Sequence, residues 1–222
     1  MALFTGKGDN GTTKVYGCNQ RISKSSDIAE ALGSMDEINS FLGLCKTQSA
    51  YLGYKINEVK IADIVHEIQK NLFIIQAELA GAEKMIEEHK VREVEEIINE
   101  IEIKLPPIKH FFISGGPSEL SKEQLAGAGL GAIFDIARTI ARRAERRVTA
   151  VAEEQTLSLF ESLSDNKAGG EKNGGEVTKE EVQKGIGLHT RSYLNRLSSI
   201  LYALARYSNH LAGISEEAPD YR

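Results

Sequence analysis

Apolar residues recur at alternating steps of four and three in one long segment, and this spacing constrains the fold most. The run consists of Ile61, Val65, Ile68, Leu72, Ile75 and Leu79. At 3.6 residues per turn, such side chains form one stripe along a helix. Similar stripes cover 28–42, 91–101, 130–151 and 193–207, whereas strand-like alternation never exceeds a few residues. The sequence therefore predicts an all-α, five-helix bundle, with the last helix spanning about 179–212.

Two segments lack this periodicity. Residues 1–25 begin with a Gly/Thr-rich stretch, and glycine permits positive φ, so we expect a flexible N-terminal arm. Residues 162–178 are polar and Gly-rich, which predicts a flexible surface loop. We interpret residues 1–222 as a single domain, since a chain of this length buries a sizeable core without disulfides.

Composition excludes several classes of protein. The 27 Lys+Arg and 32 Asp+Glu residues give a net charge of −5, unlike the basic balance of most nucleic-acid binders. Two cysteines make neither a disulfide framework nor a four-ligand zinc site, which favours the reducing cytoplasm. No apolar run approaches the ~20 residues of a membrane span. We therefore expect neither nucleic acid nor membrane as a partner.

The densest charged segment is Arg138–Arg147, which holds five of the eleven arginines in the chain. Arg138, Arg142 and Arg146 fall within about one quarter of the helix circumference, and Glu145 lies on the same face. Arginine suits bidentate contacts to phosphate or carboxylate. A triphosphate, or acidic residues of another subunit, would offset the repulsion between like charges four residues apart. A solvated helix face is the alternative interpretation.

Two weaker patterns accompany this segment. Gly6-x-Gly8-x-x-Gly11 has the letters of a dinucleotide fingerprint, but it lacks the strand before it and the helix after it. A backbone of this kind can still hold a phosphate chain, although a mobile terminus is the simpler interpretation. The last helix has a polar stripe from Arg191 to Asn209, in which Arg191 and Asn195 are suited to a polar ligand. A solvent-facing stripe is its default interpretation.

Several segments match one known family. The most specific are Ala137-Arg138-Thr139-x-x-Arg142-Arg143-Ala144-Glu145-Arg146 and Tyr193-Leu194-Asn195-Arg196-Leu197-Ser198. The others include Thr5 to Thr13, Arg21-x-x-Lys24, Gly33 to Ser40 and Phe111-x-x-Ser114-Gly115-Gly116. In this order they cover nearly the whole chain, and the chain resembles the PduO-type ATP:corrinoid adenosyltransferases.

The resemblance implies a homotrimer of five-helix bundles that binds ATP and cob(I)alamin between subunits. The reaction it implies transfers the 5′-deoxyadenosyl group of ATP to cobalt and releases triphosphate. ATP, Mg²⁺ and cobalamin are the implied substrates and cofactors. A corrinoid reductase and an adenosylcobalamin-dependent enzyme are the implied partners. Cob(I)alamin is itself a strong nucleophile, so the protein needs no Ser, Cys or His nucleophile.

The resemblance also implies roles for individual residues. Arg138, Arg142 and Asp36 would be catalytic, with Asp36 paired to Arg138 across a subunit boundary. Phe111 would lie at the lower face of the corrin, where it displaces the lower axial ligand, with Phe112 as the alternative. No metal ligand is implied. ATP would contact Thr5, Gly6, Lys7, Gly8, Thr12, Thr13, Lys24, Arg138, Arg142, Glu145, Arg146 and Asn195.

Three departures from the family pattern accompany the resemblance. Ser114 replaces a usual proline, which leaves the choice between Phe111 and Phe112 open. Residues 117–131 and 162–178 are longer than usual. Two other functions remain as alternatives: a non-catalytic bundle that binds polyanions such as RNA or acidic lipid through its arginines, and an ATP-binding regulatory trimer without turnover.

Overall fold

The computed structural model describes residues 3–16, 20–168 and 185–221. Within these ranges it has two short antiparallel hairpins and five helices, which confirms the predicted all-α bundle. The hairpins pair β1 (Thr12–Lys14) with β2 (Arg21–Ser23) and β3 (Lys55–Ile56) with β4 (Val59–Lys60). The helices are α1 (Asp27–Leu52), α2 (Ile61–Leu79), α3 (Glu88–Lys104), α4 (Lys122–Ala168) and α5 (Leu188–Leu211).

The predicted apolar stripes meet in one core. All six stripe residues of α2 are buried, and α5 is buried on two sides because it packs against both α4 and α3. α1 packs between α4 and α2. Each fully buried aliphatic side chain contributes about 1.5–3 kcal/mol relative to exposure. The bundle is therefore stabilised mainly by the buried apolar faces of its helices.

α4 is longer at both ends than the periodicity predicts. It begins at Lys122 with a capping box in which Gln124 N donates to Ser121 Oγ and Ser121 N donates to Gln124 Oε1. The longer 117–131 segment is thus largely additional helix. At its other end α4 continues to Ala168, so the loop predicted for 162–178 is wrong for its first seven residues. Residues 169–178 lie outside the described residues.

The added turns of α4 pack very closely on α5. A Cβ atom at Gly131 would lie 2.3 Å from Asn209 Oδ1, and a Cβ atom at Gly127 would lie 2.3 Å from the Ala212 Cβ. The Asn209 amide could turn away from a side chain at 131, but the Ala212 Cβ is fixed to its backbone, so glycine is required at Gly127 for this approach. The contact keeps the end of α5 and the chain beyond it beside the start of α4.

Two other expectations need correction. The arm is not wholly irregular, because β1 and β2 pair in register with Thr13 opposite Ile22; three-residue strands are too short to show alternation. The last helix begins at Leu188 rather than near 179, and the predicted residues 179–184 lie outside the described residues. No helix in the described ranges is long and apolar enough to cross a bilayer.

Candidate functional site

The arginines of α4 divide into two groups. Arg143 pairs with Glu37 of α1, and Arg147 Nε lies 3.5 Å from Glu30 Oε1 of the same helix. Because α1 and α4 pack side by side, these two arginines join helices. Their charges are partly neutralised within the fold, and they are not available to a ligand in the same way as the others.

The other group faces away from α1. Arg138 Nε donates to Asp135 Oδ1 at 2.7 Å, and its guanidinium lies 5.9 Å from the centroid of the Tyr202 ring. Arg142 and Arg146 are exposed, and neither has a carboxylate partner within 4.0 Å among the described residues. Unpaired arginines on one face are available for an anionic ligand.

Arg138 and Arg142 line a cavity of about 1080 Å³ together with the two phenylalanines predicted for the corrin. One wall is cationic and comes from α4. The aromatic wall comes from the segment that contains Phe111 and Phe112, which also contributes Lys109 and His110 to the lining. Phe111 is 80% exposed, whereas Phe112 packs on Arg206 of α5. Both rings line the cavity, and that of Phe111 is the more accessible.

Residues that sequence reasoning missed complete this cavity. Asp135 and Tyr202 contribute polar groups from α4 and α5, and Pro219 and Tyr221 come from the C-terminal segment. Burial raises the pKa of Tyr202, which further favours the neutral hydroxyl. Tyr202 belongs to the polar stripe of the last helix, and this stripe is the sequence feature that could have identified it. The C-terminal segment has no periodicity, and nothing in its sequence places it here.

The polar stripe of α5 is only partly solvent-facing. Ser198 and Arg206 are buried, which contradicts the default interpretation, because the stripe runs under the cavity and the C-terminal segment. Asn195 is exposed and donates from Nδ2 to Glu145 Oε1 at 3.1 Å. Glu145, Asn195 and Arg191 line a second, smaller cavity of about 310 Å³. The structure thus brings Glu145 and Asn195 together as the sequence suggests.

The N-terminal arm is a compact hairpin apart from the large cavity. Lys24 N donates to Gly11 O at 2.9 Å, and a Cβ atom at Gly8 would lie 3.3 Å from Lys24 Nζ. Lys24 therefore lies directly against the glycine backbone. Thr12 Oγ1 donates to Asn10 and accepts from Arg21 Nε, so this hydroxyl is already engaged. The remaining predicted contacts are exposed or half-buried: Thr5, Gly6, Lys7 and Thr13.

Neither the described arm residues nor Asp36 line the large cavity. Asp36 is exposed on α1, and the carboxylate beside Arg138 is that of Asp135. The predicted pair between Asp36 and Arg138 is not made within one chain. Because the prediction placed this pair between subunits, it stays a prediction.

The described residues contain no group of three or more His, Cys, Asp or Glu side chains arranged to hold a metal ion. His66 is exposed and Cys45 is a buried free thiol.

Fold and site define an α-helical bundle with one cavity that arginine and phenylalanine side chains line together. The family model for cobalamin adenosyltransferase matches residues 3–208, and the chain belongs to this family. It is 30% identical to a corrinoid adenosyltransferase of Citrobacter freundii, covering 98% of this chain and 97% of that protein. It is also 30% identical to a corrinoid adenosyltransferase of Bacillus subtilis, covering 97% of this chain and 91% of that protein.

A solved structure supports the same family assignment. A variant PduO-type ATP:corrinoid adenosyltransferase from Lactobacillus reuteri, complexed with cobalamin and ATP, superimposes with a TM-score of 0.71 at 25% identity. The match covers 98% of this chain and 99% of that one. The expected family and reaction class, adenosyl transfer from ATP to a corrinoid, are confirmed.

Proposed function

We propose that this chain transfers the 5′-deoxyadenosyl group of ATP to the cobalt of cob(I)alamin or a related reduced corrinoid. The observation that carries the proposal is the single cavity that Arg138, Arg142 and Phe111 line together. A reaction between a large, largely apolar macrocycle and a polyanion needs these two surfaces in one place. A site that binds polyanions in general needs only the arginine surface.

The adenosyl transfer needs no nucleophile from the protein. The electron pair of Co(I) attacks C5′ of ATP, a Co–C bond forms, and the C5′–O bond breaks. Triphosphate leaves with the electrons of that bond, so negative charge grows on the bridging oxygen. Arg142, with no carboxylate partner among the described residues, is suited to neutralise this charge, and Arg138 lines the same wall. Asp36 of another copy would orient Arg138.

The triphosphate would contact the arm and the arginine face together. Lys24, Lys7 and the backbone of Gly6 and Gly8 would hold phosphate oxygens, with Thr5, Thr12 and Thr13 as hydroxyl donors. Arg146, Glu145 and Asn195 would bind the rest of the nucleotide from α4 and α5. Mg²⁺ would arrive with the phosphates, since it is usually held by substrate phosphates, water and one or two carboxylates.

The arrangement of these groups supports a homotrimer with shared sites. The arm lies beside the start of α1, while the described arm residues are absent from the lining of the large cavity. Two copies placed side by side would bring the arm of one chain to the arginines of its neighbour. A corrinoid reductase would supply Co(I), and an adenosylcobalamin-dependent enzyme would receive the product. We place the protein in the cytoplasm, where Cys45 stays reduced.

The deciding experiment is anaerobic incubation of the chain with ATP, Mg²⁺ and chemically reduced cob(I)alamin. We expect the absorbance spectrum of adenosylcobalamin to appear, with one triphosphate released per corrinoid. GTP in place of ATP and heat-inactivated protein are the controls. If polyanions bound with affinity that falls steeply with salt, regardless of nucleotide and without product, the non-catalytic bundle would be the correct interpretation. ATP binding without product would favour a regulatory trimer.

A further inference from the structure

A buried ion pair behind the aromatic wall takes no part in the proposed mechanism. Arg206 of α5 pairs with Glu216 of the C-terminal segment at 2.8 Å, and the two side chains are only 6% and 14% exposed. Arg206 Nε lies 3.0 Å from both carboxylate oxygens of Glu216. Two nitrogens of Arg206 donate to the one carboxylate, and this fork geometry is available to arginine and not to lysine.

Arg206 also contacts the segment that forms the aromatic wall. Its Nη2 donates to the Pro106 carbonyl oxygen at 3.0 Å, and its guanidinium lies 5.3 Å from the centroid of the Phe112 ring. Arg206 is not among the lining residues of the large cavity, whereas Phe112 is. One side chain therefore connects α5, the C-terminal segment and the wall.

The C-terminal segment is attached to the same wall at a second point. Ile113 N donates to Glu217 O at 2.8 Å, one residue beyond the ion-paired Glu216. Two residues after Glu217, Pro219 lines the large cavity. The segment from 106 to 113 is thus held between α5 and the C-terminal segment, although it has no regular secondary structure of its own.

We propose that Arg206 is a positioning residue that fixes the aromatic wall of the corrinoid cavity through Pro106, Phe112 and Glu216. The proposal rests on the proposed function. A buried ion pair is seldom the most stabilising way to fill an interior, because desolvation offsets much of the attraction between the charges. Its consequence here is geometric, since an irregular segment would otherwise present Phe111 and Phe112 in many arrangements.

The test compares three variants. Arg206→Lys keeps a positive charge beside Glu216 and loses the fork that also reaches Pro106. The double variant Arg206→Met/Glu216→Gln removes both charges and leaves no isolated charge buried. Tyr193→Phe is the control for stability alone. It removes the buried hydrogen bond that Asn71 Nδ2 donates to the Tyr193 hydroxyl at 3.1 Å, and neither residue lines the large cavity.

We expect the double variant to raise the KM for the corrinoid about tenfold, because an aromatic wall that is no longer held in place binds the corrinoid less tightly. The KM for ATP should change less than about twofold, since Arg206 contacts none of the proposed ATP-binding residues. Arg206→Lys should also raise the KM for the corrinoid more than the KM for ATP, but by a smaller factor. Tyr193→Phe should lower the Tm and leave both KM values unchanged. A merely structural Arg206 would instead change both KM values together, in proportion to the Tm.

A folded double variant with the wild-type KM for the corrinoid would overturn the proposal. If the double variant does not fold, Arg206→Lys decides by the same criterion. Failure of the unaltered chain to form adenosylcobalamin would count against the proposed function instead. In that case, absorbance titration of each variant with cob(II)alamin still measures corrinoid binding, and equal affinities would count against Arg206.

Discussion

Arg143 of α4 and Glu37 of α1 form an ion pair in which each side chain is about half exposed, 46% and 49%. The preceding residue, Arg142, lines the large cavity and has no carboxylate partner among the described residues. Successive side chains on a helix point about 100° apart. Two adjacent arginines therefore differ in what they do: one joins two helices, and the other offers its charge to a ligand.

This contrast gives a matched pair of variants. Arg142→Ala should lower kcat/KM by about 100-fold or more, the usual cost of removing one donor from a site of developing negative charge. Arg143→Ala should leave kcat/KM nearly unchanged and lower stability by about 0–1 kcal/mol, because exposed ion pairs contribute little. Steady-state adenosylation and thermal melting measure the two effects. Equal losses of activity in both variants would contradict the assignment of Arg142 to the ligand and Arg143 to the helix contact.

The two phenylalanines should also differ. Phe111→Ala should leave the Tm unchanged, since this ring is 80% exposed. It should slow adenosylation strongly, and more so when the assay starts from Co(II), because an apolar ring under cobalt favours the unligated state. Phe112→Ala should lower the Tm through its lost contact with Arg206. An unchanged absorbance spectrum of bound cob(II)alamin in Phe111→Ala would assign the lower face to another residue.

Deletion of residues 1–13 should leave the bundle folded and abolish ATP binding. None of the described residues 3–16 is buried, so the arm contributes little to the core. Circular dichroism should show an unchanged melting curve, and calorimetry should show no heat of ATP binding. Retained ATP affinity in the truncated protein would contradict a phosphate site in the arm.

Shared sites predict complementation between inactive variants. Asp36→Asn and Arg138→Ala should each be nearly inactive. Without Asp36, Arg138 keeps only Asp135 of its own chain and loses the contact that would orient it across the interface; without Arg138, both carboxylates lose their cation. Mixing the two under subunit exchange should restore part of the activity, since one interface then combines intact Asp36 with intact Arg138. No recovery, with exchange confirmed by mass spectrometry, would mean that each chain has its own complete site.

Cys45 makes stability depend on alkaline pH. Burial raises the pKa of its thiol from 9.0 to about 12. Below pH 9 both folded and unfolded chains keep the proton; between pH 9 and 12 only the unfolded chain loses it. Stability should therefore fall with rising pH in this window, by up to ~1.4 kcal/mol per pH unit. Cys45→Val should reduce this slope in urea titrations, and native Cys45 should resist iodoacetamide at pH 8. Rapid alkylation would show that the thiol is accessible.

Local pattern determined most of the bundle. The 3.6-residue period identified five helices and the face that each buries, because one helix face must be removed from water wherever it packs. It did not identify every buried residue: Phe134, Ala141 and Cys45 are fully buried and lie outside the predicted stripes. The period could not predict where α4 begins or ends. Its first turns depend on a capping box and on glycines that meet α5, and the Gly-rich composition after 162 concealed its last turns.

For the candidate site, too, the sequence predicted one part and the tertiary structure decided the other. Sequence by itself determined that arginines recur on one face of α4, and motif resemblance indicated Phe111 and Asn195. Only the tertiary structure decided that Arg143 pairs with Glu37 while Arg142 lines the cavity, and that the C-terminal segment meets the aromatic wall through Glu216 and Arg206. Helical periodicity is a relation between near neighbours in the chain. These contacts join segments that are distant in sequence and aperiodic, so they form only when the packed helices bring those segments together.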